Sequence, residues 1–312
     1  MTVGGSHIHP EPINGRELAA YEYSEAGLAS GIATRCLIQP FDVLKIRFQL
    51  QEEPLRGKTR GKYSGILQSV KLIWKEEGGT AFWKGHMPAQ GLSAIYGVVQ
   101  FTTFEELSHK MQELQWLKNH TMSRDFLCGA LAGCTAMTTA MPLDVIRTRL
   151  VAQGNPKIYR GTIHAVIKIW KMEKIPGFFR GLVPSLAQIA PYTGLQFSCY
   201  RFLIRIWGEY ISGHESTGAL LSGAVAGTFA KTVLYPLDLV RHRLQVNSLI
   251  RGSHFGKTSQ NRGMIRTMAG VIRREGIFGL FKGLWPSMIK AGANSGFAFL
   301  FYELACDLLR AI

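Results

Sequence analysis

Three short strings carry most of the charge chemistry this sequence offers: Pro40-Phe-Asp42-Val-Leu-Lys45, Pro142-Leu-Asp144-Val-Ile-Arg147 and Pro236-Leu-Asp238-Leu-Val-Arg241. In each, an acid stands two residues after a proline and a base five after it. On an ideal helix that acid and base lie within roughly 60° of each other, so both can face neighbouring helices. Such pairs join helices; they do not make or break bonds. No Ser-His-Asp arrangement, no G-x-x-x-x-G-K-[ST] string and no histidine spacing suited to a metal accompanies them, so neither an enzyme nor a cofactor or metal centre is expected. A second set of charges has a different character. Arg35, Lys231 and Lys290 each interrupt a stretch otherwise free of charge. A cation at the centre of a membrane span costs on the order of 2.5 to 3.5 kcal/mol. The nearest acids, Asp42, Asp144 and Asp238, already have basic partners at fixed spacing, so these three cations point to an anionic ligand.

The elements that must position these residues follow from the charge distribution. Phe126 to Leu143, Leu182 to Tyr200 and Met87 to Phe104 contain no charge, and Ala26 to Phe41, Ser216 to Leu237 and Leu284 to Tyr302 contain one cation apiece. Each window suits a helical span, and their Gly, Ala, Ser and Thr content suits helices packed around a polar interior. The expected fold class is an all-α membrane protein with six transmembrane helices. The stretches 45–84, 145–181 and 239–283 hold 26 of the 36 basic residues, a bias that places them on one side and both termini on the other. The formal charge of +15 combined with 46% hydrophobic residues excludes a disordered polyelectrolyte. The basic stretches lack the interleaved aromatics of a single-strand nucleic-acid binder. The five cysteines lie in apolar segments without C-x-x-C spacing and imply neither disulfides nor zinc. Residues 1–17 read as a flexible segment without the pattern of a cleaved targeting peptide.

The chain is triplicated. The proline strings recur 102 and then 94 residues apart, each preceded by a glycine pair, Gly27 and Gly31, Gly129 and Gly133, or Gly223 and Gly227, which reads as close helix packing. Each is followed by a basic amphipathic stretch and then by Phe82-Trp-Lys84-Gly85, Phe178-Phe-Arg180-Gly181 or Leu280-Phe-Lys282-Gly283, whose aromatic and basic residues read as interfacial anchors. In the second copy Glu173-Lys174 replaces the Glu-Gly of Glu77-Gly78 and Glu275-Gly276, leaving the form of that turn open. The prolines Pro40, Pro142 and Pro236 are expected to kink their helices. Three repeats, 18–116, 117–212 and 213–312, make one bundle.

A unit of about 100 residues carrying P-x-D-x-x-[KR] at the end of each odd span, three times over, resembles the mitochondrial carrier family. That resemblance implies six helices in three pseudosymmetric repeats, each with a short matrix helix, a central substrate site, and alternating access across the mitochondrial inner membrane with termini toward the intermembrane space. It further implies a monomer, a matrix side that binds lipid such as cardiolipin, and no nucleic acid polymer as partner. Asp42, Lys45, Asp144, Arg147, Asp238 and Arg241 would form interhelix pairs closing the matrix side, with Gln49 and Gln245 bracing them where the second repeat has Val151. A cytosolic set would be reduced to Glu105, Arg201 and Glu303. Within the family, 41–51, 82–90 and 194–200 are most similar to the branch that carries thiamine pyrophosphate.

Specificity should sit where the repeats differ. Arg35, Met137 and Lys231 occupy one equivalent position and Leu92, Gln188 and Lys290 another, so Arg35, Lys231 and Lys290 are the candidate diphosphate holders. Further along the even helices come Tyr96 and Gln100, Tyr192 and Gln196, and Asn294, which could stack on and hydrogen-bond a heteroaromatic ring. An aminopyrimidine with a diphosphate tail, such as thiamine pyrophosphate, satisfies both halves; so does a nucleotide, which would also serve as an exchange partner. The rival readings are a nucleotide or coenzyme A carrier and a membrane scaffold protein that transports nothing.

Overall fold

Each charge-free window became helix, and the physical reason is the same throughout: runs of small and aliphatic residues without an unsatisfied polar group leave the backbone to bond to itself. A computed structural model describes residues 20–51, 61–112, 121–154, 157–210, 215–247 and 263–311. In chain order the helices are α1 (Ala20–Leu50), α2 (Ile66–Glu77), α3 (His86–Gln112), α4 (Thr121–Ala152), α5 (Thr162–Phe178), α6 (Leu182–Tyr210), α7 (Glu215–Val233), α8 (Tyr235–Gln245), α9 (Met264–Glu275) and α10 (Leu284–Ala311). Short 3₁₀ turns, Gly79–Trp83 and Ile277–Phe281, lead from α2 into α3 and from α9 into α10. The flexible reading of residues 1–17 lies outside the described residues.

The chain divides into two compact units, one of residues up to Ile38 together with Lys290 onward, the other of Gln39–Ile289. In the first, Ser30 Oγ donates to the Ala298 carbonyl at 2.8 Å, and Ala26 and Cys306 are buried among Tyr23, Tyr302, Ala305 and Leu309. In the second, α3 packs along α4 and α6 along α7. Its largest buried cluster joins Val43, Ile46 and Leu50 of α1 to Ile146, Leu150 and Val151 of α4, with Ala165, Ile169 and Phe178 of α5 and with Val246. That core lies at the ends of the odd-numbered spans, beside the three proline strings.

Pro40 and Pro142 lie inside α1 and α4. Pro236 does more than kink its helix: the span stops at Val233, restarts at Tyr235 and bends by 54°. Proline at the first positions of α8 forfeits no hydrogen bond, because a helix N-terminus has N–H groups to spare. Among the described residues α4 alone is long and apolar enough to cross a membrane, with a mean hydropathy of 1.4, and α7 with α8 qualifies as a bent pair. Outward faces elsewhere carry large exposed apolar side chains, among them Phe101, Phe202, Leu220 and Trp285, which calls for a lipid surround rather than water.

The glycine pairs correct one expectation. A Cβ at Gly27, Gly31, Gly129 or Gly223 would meet nothing within 4 Å, whereas at Gly133 it would touch Ile189 at 3.0 Å. Close approach belongs instead to Gly85, Gly181 and Gly283, all at positive φ, where a Cβ would lie 3.1, 2.9 and 2.9 Å from the carbonyls of Arg147, Arg241 and Lys45. Each even helix thus begins against the next repeat's odd helix, and only glycine allows it.

Lys174 fills the turn that glycine fills in the other repeats: Gly78 and Gly276 have φ of 79° and 75°, and Lys174 has 55° with ψ of −151°. This region is almost closed to residues with a Cβ. Lys174→Gly should therefore stabilise the protein by about 1 kcal/mol, raising its melting temperature by about 2 °C in detergent, with its circular dichroism unchanged.

Candidate functional site: two concentric ion-pair systems

The three proline strings meet at the ends of α1, α4 and α8. Arg147 reaches Asp42 at 2.5 Å, Arg241 reaches Asp144 at 2.6 Å, and Lys45 reaches Asp238 at 2.7 Å. Every acid is paired with the base of the next repeat, and the third closes onto the first. Asp42 and Asp144 are buried, at 4% and 2% exposure, and Asp238 is half-buried. Removing one partner of such a pair would leave a charge in a low-dielectric setting, a loss of roughly 3 to 5 kcal/mol.

Two glutamines brace the ring. Gln49 Nε2 donates to Asp238 Oδ2 at 3.0 Å and to the Tyr235 hydroxyl at 2.9 Å, and that hydroxyl donates to the Lys282 carbonyl at 3.0 Å. Gln245 Nε2 donates to Asp144 Oδ2. Its orientation exposes Oε1 to His242 Nδ1 at 3.0 Å, so the imidazole carries its proton on Nδ1. His242 also touches Thr148 Oγ1 at 3.3 Å and faces Asp238 at 3.7 Å. At the matching position beside Asp42 and Arg147 stands Val151, fully buried.

Outside this ring lies a second system that the motif reading missed. Arg47 donates to both oxygens of Glu77, at 2.5 and 2.8 Å, and Lys84 pairs with the same carboxylate. Arg149 and Arg180 likewise converge on Glu173, and Arg243 and Lys282 on Glu275. Lys84, Arg180 and Lys282 are therefore clamps on the matrix helices; Lys282 is 4% exposed, far from the snorkelling expected of an interfacial anchor. The signal was present: the arginine stands seven residues after each proline and the glutamate eight before each Lys/Arg-Gly glycine, in all three copies. The same arginines cross to the next repeat, Arg47 to the Val151 and Gln153 carbonyls, Arg149 to Gln245, Arg243 to Gln49 and Gln51. One residue type therefore ties each odd helix both to its own matrix helix and to its neighbour.

The candidate ligand residues are spread over both units. Arg35, Lys290, Asn294 and Glu303 belong to the first; Lys231, Gln188, Tyr192, Gln196, Gln100, Tyr96, Glu105 and Arg201 to the second. Arg35, Lys231 and Lys290 are half-buried, as are the two tyrosines and three glutamines, while Asn294, Glu105, Arg201 and Glu303 are exposed. Lys231 Nζ donates to the Ser287 carbonyl at 3.1 Å. Gln196 Nε2 lies 3.8 Å from the Cβ position of Gly227 and the Tyr96 hydroxyl 3.7 Å from that of Gly133, so the second glycine of the second and third pairs makes room beside these polar groups.

Three tandem helix–loop–helix units, locked to one another by exchanged ion pairs, define a carrier. A family model described as mitochondrial carrier protein matches residues 16–115, 118–210 and 213–311, and the chain belongs to this family, whose members are transporters and not enzymes. The human mitochondrial thiamine pyrophosphate carrier is 44% identical over 309 residues, covering 97% of this chain and 96% of that protein. Mitochondrial thiamine diphosphate carrier 1 of Zea mays is 37% identical over 311 residues, with 91% and 93% covered, and mitochondrial thiamine pyrophosphate carrier 1 of Coccidioides immitis is 37% identical over 320, with 100% and 98% covered.

Burial alone would raise the Glu77 carboxyl, but hydrogen bonds from Arg47 and Lys84 and their charges outweigh it and hold the group below its ordinary value of 4.5. Because the folded-state value is the depressed one, this contribution to stability is complete above pH 4.5 and is lost as pH falls through the lower value. Glu77→Gln should cost about 3 kcal/mol near neutrality. Melting curves of the two proteins should converge as pH drops below 4.5.

Proposed function

We propose that this protein imports thiamine pyrophosphate into the mitochondrial matrix across the inner membrane by alternating access, in exchange for a nucleotide or another phosphorylated anion. The substrate is cargo and not a cofactor. Full-length similarity to thiamine pyrophosphate carriers from an animal, a plant and a fungus carries the substrate assignment. In this reading the ring of Asp42, Lys45, Asp144, Arg147, Asp238 and Arg241, with Gln49 and Gln245, is the matrix gate. The formation of all three of its pairs supports the reading of this ring as the closure on the matrix side. Glu105, Arg201 and Glu303 form a thinner cytosolic gate.

Arg35, Lys231 and Lys290 hold the diphosphate, and Gln188, Tyr192, Gln196, Gln100, Tyr96 and Asn294 surround the ring system. The protein works as a monomer with both termini toward the intermembrane space and with cardiolipin at its matrix side. Charge complementarity supports an anionic ligand: three cations at positions where the repeats differ suit the charge of a diphosphate.

Uptake by purified protein in liposomes tests the assignment. Thiamine pyrophosphate should be taken up with higher affinity than thiamine monophosphate, and free thiamine, itself a cation, hardly at all; saturable thiamine uptake of equal affinity would refute the phosphate site. A preference for ATP or coenzyme A in the same panel would favour the rival carriers. Lys290→Ala should abolish uptake, whereas Lys75→Ala on the exposed face of α2 should leave it within twofold of the parent.

A further inference from the structure

The three seams of the ring are built unequally, and the differences accumulate at one of them. Between α4 and α8, Arg241 grips Asp144 through both Nε and a terminal nitrogen, at 3.1 and 2.6 Å. Gln245 braces that acid, His242 holds Gln245, and Arg149 reaches the Gln245 carbonyl at 2.9 Å. Between α8 and α1, Gln49 spans Asp238 and Tyr235, and Arg243 donates to the carbonyls of Gln49 and Gln51 at 2.9 and 3.0 Å.

Between α1 and α4 the arrangement is thinner. Arg147 grips Asp42, but its Nε is buried without a hydrogen-bond partner. The brace position holds Val151, which can donate nothing. Arg47 crosses to the Val151 and Gln153 carbonyls by two bonds, each stretched to 3.3 Å. A glutamine would fit there. In the other two repeats its Cγ sits 3.1 and 3.2 Å from the Cβ position of Gly181 and Gly283, and Val151 Cγ2 already sits 3.1 Å from that of Gly85.

We infer that the ring opens in sequence, parting first between α1 and α4, and that Val151 is the residue that sets this order. The inference rests on the reading of the ring as the matrix gate. Substrate reaching the matrix would then pass a breach on one side before the bundle end opens fully. A seam with valine in place of the glutamine also lowers the first step of opening without weakening the other two, so the ring can be tight at rest and still yield to a ligand.

Distances between the matrix helices report the order. α2, α5 and α9 are tied to the ends of α1, α4 and α8 by Arg47–Glu77, Arg149–Glu173 and Arg243–Glu275, so labels on them follow those ends. Leu67, Ile163 and Ile265 occupy equivalent, outward positions, at 78%, 77% and 76% exposure. Spin labels on cysteines placed pairwise there, in an active carrier without its native cysteines, give three distances by pulsed electron resonance in liposomes. With saturating thiamine pyrophosphate, the 67–163 distance should gain a long component at least twofold more populated than either other pair. Val151→Gln should equalise the three and slow uptake about fivefold, the worth of one hydrogen bond. Gln245→Val, which removes a brace instead of adding one, should raise the long component of the 163–265 pair.

Equal lengthening of all three distances in the parent carrier, or an inequality that survives Val151→Gln, overturns the order while leaving the gate intact. Continued uptake with none of the three distances responding overturns the gate reading, and the order with it.

Discussion

A carboxylate cannot be buried beside a helix end unless a cation meets it there, and here that cation always comes from the next repeat. The rest of this architecture depends on that exchange. Within one repeat, acid and base stand three residues apart on the same helix, yet the acid turns to its neighbour, so no repeat satisfies its own charges. Asp42 needs α4, Asp144 needs α8 and Asp238 needs α1. Three-way closure is thereby enforced by electrostatics, because two repeats alone would strand a buried aspartate at a cost of several kcal/mol.

The outer system of Arg47, Arg149 and Arg243 extends the same logic from charges to backbone. A guanidinium has five donors in a fixed fork, enough to serve a glutamate of its own matrix helix and a carbonyl of the adjacent odd helix together. Lysine could not do both with the same geometry. The glycines that start the even helices fit this scheme: Gly85, Gly181 and Gly283 lie directly against carbonyls of neighbouring odd helices, so any side chain there would push apart the ends that the ion pairs draw together. Ring, clamps and glycines are one mechanical joint made three times.

Much of this could be read from residue order alone. The six helices followed from windows with no charge or a single cation, and the three ion pairs from an acid and a base on one helical face repeated at matching places, because both signals are local. The Glu77, Glu173 and Glu275 clamps escaped, since their partners stand 30, 24 and 32 residues away on another element and three aromatic-basic strings suggested a lipid anchor instead. Proline chemistry was right in kind and wrong in degree at Pro236, where the helix restarts: Tyr235, just before it, is committed to the Lys282 carbonyl and to Gln49. The glycine pairs were assigned to close packing from a motif, but packing depends on what faces a glycine, and at Gly27, Gly31, Gly129 and Gly223 nothing does. His242 was passed over because a lone histidine has no spacing partner; its partners, Gln245 and Thr148, are revealed only when α4 and α8 come together.

If the ring is the matrix gate, as proposed, it must also be breakable, which limits how well it can be built. Turning a population from 99:1 closed to 99:1 open takes a ligand about 5.5 kcal/mol of differential binding. Each brace adds about 1 kcal/mol of net hydrogen bonding to the closed side. On that reading a third glutamine would raise the required differential by about a fifth, and a cargo held by a few charge-assisted contacts would have little to spare. On the proposed reading of the ring as the matrix gate, Val151 would be a setting of that gate against its cargo: it would keep ring closure within the range that diphosphate binding can reverse, and at one seam only, with the tighter contacts of the other two holding the ends in register.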